Sequence, residues 1–155
     1  EWAGASFGMF KSVDGPGALI RWSDVQHDES LRKKVKWTRM KGHGRTIEKL
    51  LRSYNNSPSR LLDISRQCVI FENIKDLKKC LETIIFDENV AVERIKNRYS
   101  TQYDAEATGG YRDVIINLRL ISQQAQAIGA ELHIVEVQLL LREYVHMKTE
   151  AGHER

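Results

Sequence analysis

Residues 111–120, with the sequence YRDVIINLRL, alternate polar and apolar side chains, and this stretch decides the fold. The alternation predicts a β-strand with Val114, Ile116 and Leu118 on one face. The polar residues Tyr111, Asp113, Asn117 and Arg119 fall on the opposite face, which only Ile115 interrupts. Such a strand fits a sheet that is covered by helices on its apolar side and left open on its polar side.

The remaining pattern supplies partners for this strand. Further strands are predicted at 68–71, 90–99 and 132–139. Helices are predicted at 46–54, 74–86, 123–129 and about 140–150. Residues 100–110 are polar and read as a loop, where binding residues are frequently found. The opening stretch up to Asp28 has no sustained period and predicts no element.

Composition narrows the classes of function. The chain has 155 residues, 41% of them apolar and 29% charged, which fits one ordinary globular domain. No apolar run reaches the roughly 20 residues of a membrane span, and the first residues, Glu1–Gly4, lack the basic start and long apolar stretch of a secretory signal. A net charge of +3 is too mild for a reader of duplex DNA but suits small phosphorylated ligands. The ends suggest a fragment of a longer chain.

The two cysteines do not have the spacing of a metal site. Cys68 lies in a predicted strand and Cys80 in a predicted helix. Their apolar neighbours favour plain buried thiols in a reducing compartment, so we expect a cytoplasmic protein.

Two carboxylates interrupt apolar strand sequence and are candidates for chemistry. Glu136 lies within Ile134–Leu139, and Asp63 follows Leu61-Leu62 just before the strand at 68–71. A charge in such a place must be paired, metal-bound or exposed. One interpretation is that the pair holds Mg²⁺, which takes one or two carboxylates. The other is that Asp63 caps a turn and Glu136 forms a cross-strand salt bridge.

Four short motifs, in order along the chain, resemble the synthetase domain of the RelA/SpoT alarmone enzymes. They are Arg39-Met40-Lys41 with Lys49, Leu62-Asp63-Ile64, Gly110-Tyr111-Arg112 and Glu136-Val137-Gln138. Each motif alone is weak, and their order carries the resemblance, which covers residues 39–153. It implies an α+β fold, with a mixed β-sheet of about five strands flanked by helices.

The resemblance also implies an activity, transfer of pyrophosphate from ATP to the 3′-hydroxyl of a guanine nucleotide (GDP or GTP). On the donor side it implies that Arg39 contacts the ATP base and that Lys41 and Lys49 bind the phosphates. Asp63 and Glu136 would hold Mg²⁺, and Glu136 would also activate the attacking hydroxyl. Such transfer depends mainly on positioning and on neutralising negative charge, which these residue types provide.

On the acceptor side, the resemblance implies that Tyr111 stacks on the base. The expected acceptor-binding residues are Tyr111, Arg112, Asn117 and Gln138, with Lys96 and Arg98 as possible phosphate contacts. This side also departs from the family, because Val114-Ile115-Ile116 stands where a His is usual and Leu139-Leu140 where Arg-Thr is usual.

These departures leave two alternatives open. One is a non-catalytic module that binds a nucleotide or a partner protein. The other is a pyrophosphotransferase with a different acceptor, an adenine nucleotide or a tRNA 3′ end. For the domain organisation, we expect an N-terminal segment at 1–38 that packs on a synthetase domain at 39–155.

Overall fold

The computed structural model describes residues 1–37 and 65–150. Within these ranges, strands form one six-stranded mixed sheet in the spatial order β2-β1-β3-β6-β5-β4. The strands are β1 (Met9–Lys11), β2 (Leu19–Arg21), β3 (Ser65–Phe71), β4 (Val90–Asn97), β5 (Val114–Leu120) and β6 (Ile134–Leu141). In this sheet β3 and β6 run parallel, and the other neighbouring pairs are antiparallel. The predicted α+β class with a mixed sheet is confirmed.

Two of the strands come from the opening stretch, for which the sequence predicted no element. β1 pairs with β2 as a hairpin and joins β3 through Met9 and Ile70. The turn after the first helix lies close to β3. A Cβ atom added at Gly8 would lie only 2.6 Å from Cγ1 of Val69. Residues 1–37 therefore share the sheet with the rest of the described chain. The predicted domain boundary at residue 38 lies outside the described residues and stays a prediction.

Six short α-helices accompany the sheet in the described ranges. They are α1 (Trp2–Ala5), α2 (Trp22–Val25), α3 (Glu29–Arg32), α4 (Ile74–Ile85), α5 (Gln123–Ala127) and α6 (Val145–Glu150). The longest, α4, begins where the Asn73 side chain accepts a hydrogen bond from the backbone N–H of Asp76. Its apolar stripe was predicted at Ile74, Leu77, Leu81, Ile84 and Ile85; Leu77 and Ile84 are buried, together with Cys80, whereas Ile74 and Ile85 at the two ends of the helix are exposed. The predicted helix at 46–54 lies outside the described residues.

The apolar core lies between α4 and one face of the sheet. Strands β3, β5 and β6 supply its sheet side with Val69, Phe71, Val114, Ile116, Leu118, Val137 and Leu139. Burial of apolar surface at about 25 cal/mol per Å² makes this layer the main source of stability. Cys80 is fully buried here, and burial raises the pKa of its thiol. Neither cysteine forms a disulfide, and Cys68 is only partly buried.

The opposite face of the sheet carries the polar residues and will be called the polar face. At one end a second apolar cluster of Met9, Ile70, Leu140 and Val145 seats α6 against it. The centre of the face was expected to be open, but Glu136, Gln138 and Asn117 are 8%, 6% and 6% exposed. That expectation was wrong for these three side chains. The pattern of a single strand does not reveal burial of this kind.

Several element boundaries differ from the sequence prediction, including the start of β3, which is Ser65 instead of residue 68. β5 begins at Val114 instead of Tyr111, because Tyr111 closes a turn in which Thr108 Oγ1 donates to the Tyr111 carbonyl at 3.0 Å. The last helix begins at Val145 instead of about residue 140, because β6 continues to Leu141 alongside β3. A local turn decides the start of β5, and pairing with a distant strand decides the start of the last helix.

Candidate functional site

The predicted site residues divide into two groups by location. Arg39, Lys41, Lys49 and Asp63 lie outside the described residues, so the donor side stays a prediction. The described structure contains the other predicted residues: Glu136, Tyr111, Arg112, Asn117, Gln138, Lys96 and Arg98.

Glu136 lies on β6, which has β3 on one side and β5 on the other. Its carboxylate is held by two neighbours, and both approach the same oxygen. Arg66 Nε lies 2.9 Å from Oε1 as a close ion pair. Gln138 Nε2 donates a hydrogen bond to Oε1, also at 2.9 Å. A buried carboxylate needs such partners, because desolvating it alone costs several kcal/mol.

A row of polar residues crosses four strands of the polar face at the level of Glu136. Arg66 on β3 lies opposite Glu136, Glu136 lies opposite Asn117 on β5, and Asn117 lies opposite Arg94 on β4. The Nδ2 atom of Asn117 is buried and has no hydrogen-bond partner in the described part of the chain. Neither Arg66 nor Arg94 was predicted as a site residue from the sequence. Only the strand register, which is set by long-range pairing, brings them into this row.

The next row along the same face contains two more predicted residues. Gln138 lies opposite Cys68 on β3 and Ile115 on β5, and Ile115 lies opposite Lys96 on β4. Lys96 is exposed at the edge of the sheet. The structure thus brings Glu136, Gln138 and Asn117 together and places Lys96 two strands away.

Tyr111 lies at the end of this face, within the second apolar cluster near Leu140 and Cys68. Its ring packs edge-on against Tyr144, with 6.4 Å between centroids. Its hydroxyl donates a hydrogen bond to Asp113 Oδ2 at 3.0 Å. Burial raises the pKa of the Tyr111 hydroxyl, and the Asp113 carboxylate raises it further. Tyr111 is therefore a neutral ring at physiological pH.

The two predicted arginines near Tyr111 have structural contacts. Arg98 Nη1 pairs with Asp113 Oδ1 at 2.8 Å. Arg112 Nη1 donates to the backbone carbonyls of Arg98 and Ser100, at 2.7 and 3.1 Å. Both guanidinium groups also lie about 6 Å from the ring centroid of Tyr103. These contacts hold the loop that follows β4 against the start of β5.

The described ranges contain few side chains that are placed to bind a divalent cation. No group of three His, Cys, Asp or Glu side chains there is arranged to hold a metal ion. Glu136 supplies a carboxylate, the hard oxygen donor that Mg²⁺ prefers, and Mg²⁺ commonly takes one or two carboxylates and fills its shell with waters and phosphate oxygens. The donor chemistry at Glu136 fits Mg²⁺. The described residues do not form a complete cage.

None of the helices in residues 1–37 and 65–150 combines the length and apolar character needed to cross a bilayer.

The six-stranded mixed sheet and the short helices that flank it form an alarmone-synthetase-like α+β fold. The structure is similar to small alarmone synthetase 1 from Bacillus subtilis bound to its product pppGpp, with a TM-score of 0.58 and 15% identity over 76% of this chain and 61% of that chain. It is also similar to a GTP pyrophosphokinase family protein from Streptococcus pneumoniae, with a TM-score of 0.57 and 16% identity over 85% of this chain and 64% of that chain.

A second structure of the Bacillus subtilis synthetase gives a TM-score of 0.55 with 16% identity, over 85% of this chain and 68% of that chain. This chain thus spans about two thirds or less of the length of these proteins. No protein-family model and no curated protein sequence matches it. The resemblance to RelA/SpoT synthetases is confirmed at the level of the fold.

Proposed function

We propose that this protein catalyses Mg²⁺-dependent transfer of pyrophosphate from ATP to the 3′-hydroxyl of GDP or GTP. The observation that carries the proposal is the buried carboxylate of Glu136, held by two neighbours in the middle of an alarmone-synthetase-like sheet. It belongs to Glu136-Val137-Gln138, one of the four ordered motifs in the sequence. A buried ion pair adds little net stability compared with apolar residues of the same size, and this supports a functional role for Glu136.

The proposed step is a displacement at phosphorus. The acceptor 3′-oxygen attacks the β-phosphorus of ATP while Glu136 accepts the hydroxyl proton. The bond between the β-phosphorus and the oxygen bridging to the α-phosphorus breaks, and AMP leaves. A general base of this kind contributes about 10²–10⁴-fold. When bound, Mg²⁺ neutralises charge on the phosphates.

The donor residues in this proposal are those implied by the resemblance. Arg39 contacts the adenine, Lys41 and Lys49 bind the ATP phosphates, and Asp63 shares the metal ion with Glu136. Their side chains suit the task, because positioning and charge neutralisation account for most of the catalysis in phosphoryl transfer.

The acceptor in this proposal lies along the polar face, with its base against Tyr111. Asn117 is the natural contact for a polar group of the acceptor, because its buried Nδ2 has no partner in the described structure. Lys96 is a better phosphate contact than Arg98, since Lys96 is exposed whereas Arg98 is paired with Asp113. We place the activity in the cytoplasm, where cysteines outside disulfides, such as Cys68 and Cys80, stay reduced.

One observation favours a second candidate, the same transfer to a different acceptor. Arg112 is engaged by backbone carbonyls, and the Tyr111 hydroxyl by Asp113, so neither group is disposed to read a guanine edge. Stacking on a ring tolerates any base. An adenine nucleotide or a tRNA 3′ end would suit such a site.

The deciding experiment is a transfer assay with ATP labelled in the γ-phosphate. GDP, GTP, ADP, AMP and tRNA are compared as acceptors in parallel, with and without Mg²⁺. Label on GDP or GTP supports the first candidate, and label on ADP, AMP or tRNA alone supports the second. Absence of transfer to every acceptor, with nucleotide binding that is indifferent to Mg²⁺ and to Asp63→Asn, would leave a non-catalytic binding module.

A further inference from the structure

Two residues that contact the Glu136 carboxylate, Arg66 and Gln138, take no part in the proposed displacement step. We propose that Arg66 and Gln138 are positioning residues that hold Oε1 of Glu136 and present Oε2 to the metal ion and to the acceptor hydroxyl. This inference rests on the proposed function. It changes the role predicted for Gln138 from acceptor contact to support of the carboxylate, and it adds Arg66.

The sheet itself creates this arrangement. Arg66 lies opposite Glu136 in the parallel pairing of β3 and β6. Gln138 is two residues further along β6, on the same face as Glu136. The Arg66 and Glu136 side chains are 30% and 10% exposed. The positions of these residues in β3 and β6 therefore set both contacts, and neither contact depends on a loop.

Both contacts are made to the same oxygen of the Glu136 carboxylate. This distinguishes residues that orient the carboxylate from residues that only neutralise its charge. The closest approach of Arg66 and the hydrogen bond from Gln138 are both to Oε1, each at 2.9 Å. Holding one oxygen fixes the rotation of the carboxylate and the direction in which the other oxygen points. Partners of this kind typically change metal affinity or activity by about 10–100-fold when they are removed.

The two residues act differently on Glu136. Arg66 supplies charge at close range, so a lysine at this position keeps part of the effect. Gln138 supplies an aligned N–H, so an apolar residue of similar length removes the effect. Arg66→Gln, Arg66→Lys and Gln138→Met therefore separate charge from alignment. Arg119→Gln is the matched control, because Arg119 pairs with Glu93 instead of Glu136, at 2.6 Å.

Metal binding is measured without turnover, in the presence of α,β-methylene-ATP, which lacks the bond that breaks in the proposed transfer. Mn²⁺ serves as the probe, followed by water-proton relaxation, and the kcat and acceptor KM of transfer are measured separately. We expect Arg66→Gln and Gln138→Met to weaken Mn²⁺ binding by about 10–100-fold and to lower kcat, with the acceptor KM unchanged. Arg66→Lys should recover part of the loss, and Arg119→Gln should match the wild type.

Several results would overturn the inference. Wild-type Mn²⁺ affinity in both Arg66→Gln and Gln138→Met removes it while the proposed function survives. A raised acceptor KM in Gln138→Met, with unchanged metal affinity, makes Gln138 an acceptor contact instead. If the wild type binds no Mn²⁺ with the analogue and transfers no label, the proposed function and this inference fall together. Should Arg66→Gln not fold, Arg66→Lys and Gln138→Met still decide the matter.

Discussion

Arg98 Nη1 donates to the carboxylate of Asp113 at 2.8 Å, and Asp113 is only 1% exposed. The backbone repeats the connection, because the N–H of Arg98 donates to the carbonyl of Asp113 at 2.9 Å. Tyr111 donates to the other oxygen of the same carboxylate. One buried charge therefore joins the end of β4 to the residues that lead into β5.

Loss of this charge should destabilise the protein strongly. Asp113→Ala leaves the Arg98 guanidinium and the Tyr111 hydroxyl without their acceptor, and removing one partner of a buried pair costs about 3–5 kcal/mol. Glu72→Ala breaks the exposed pair with Arg142 and should cost less than about 1 kcal/mol. Urea unfolding measures both. Equal effects of the two substitutions would contradict the buried role of Asp113.

Glu136→Gln should abolish most of the transfer activity. It keeps the size of the side chain and an oxygen for Gln138, but removes the base, so we expect a loss of about 10²–10⁴-fold in kcat. Glu93→Gln is the matched control, because Glu93 is also paired with an arginine of this sheet, at 2.6 Å, and has no place in the proposed step. A rate of Glu136→Gln close to that of Glu93→Gln would remove Glu136 from the chemistry.

Tyr111→Leu should weaken acceptor binding while Tyr111→Phe should not. Stacking of a base on an aromatic ring is worth about 1–3 kcal/mol, which corresponds to a rise in acceptor KM of roughly 5- to 150-fold. The KM for ATP should not change. Tyr99→Leu is the control for packing, since Tyr99 also contacts Tyr144, with 5.8 Å between ring centroids. If Tyr99→Leu raised the acceptor KM equally, the effect would come from disturbed packing.

Stability should fall at alkaline pH through two buried tyrosines. Burial raises the pKa of the hydroxyls of Tyr99 and Tyr111 in the folded protein. Above the ordinary tyrosine pKa of about 10, the unfolded chain loses these protons before the folded protein does, so stability decreases as pH rises. The slope is at most about 1.4 kcal/mol per pH unit for each tyrosine, and less because both rings keep some solvent contact.

Urea midpoints between pH 9 and 11 test this expectation. Tyr99→Phe and Tyr111→Phe should each flatten the pH dependence, and the double variant should flatten it most. Tyr103→Phe serves as the control. An unchanged slope in the double variant would assign the alkaline loss to other groups.

Local pattern was enough to predict most of the described elements. Alternation with a single break at Ile115 marked β5, because that signal lies within a few residues. The apolar residues at helical spacing marked α4 in the same way, although two of the five, Ile74 and Ile85, are exposed. The β1–β2 hairpin was missed because its strands have three residues each and form through pairing with one another and with β3. A three-residue strand carries too short a pattern to be recognised alone.

The candidate site shows the same division between local and long-range information. Glu136 could be identified because a charge interrupts an apolar strand. Its partner Arg66 could not, because 70 positions of chain separate the two residues, and only the parallel register of β3 and β6 brings them together. The register that places Asn117 between Glu136 and Arg94 is likewise set by pairing with distant strands.

The position of β6 in the sheet determines when the fold can form during protein synthesis. β6 is the last strand along the described chain, yet it lies between β3 and β5 in the middle of the sheet. As the ribosome releases the chain in order, β3 must wait for residues 134–141 before its parallel partner exists. Pairings of such long range make folding slow. A nascent chain therefore lacks Glu136 and the mature sheet until synthesis has passed this strand, so the proposed activity cannot precede completion of the fold.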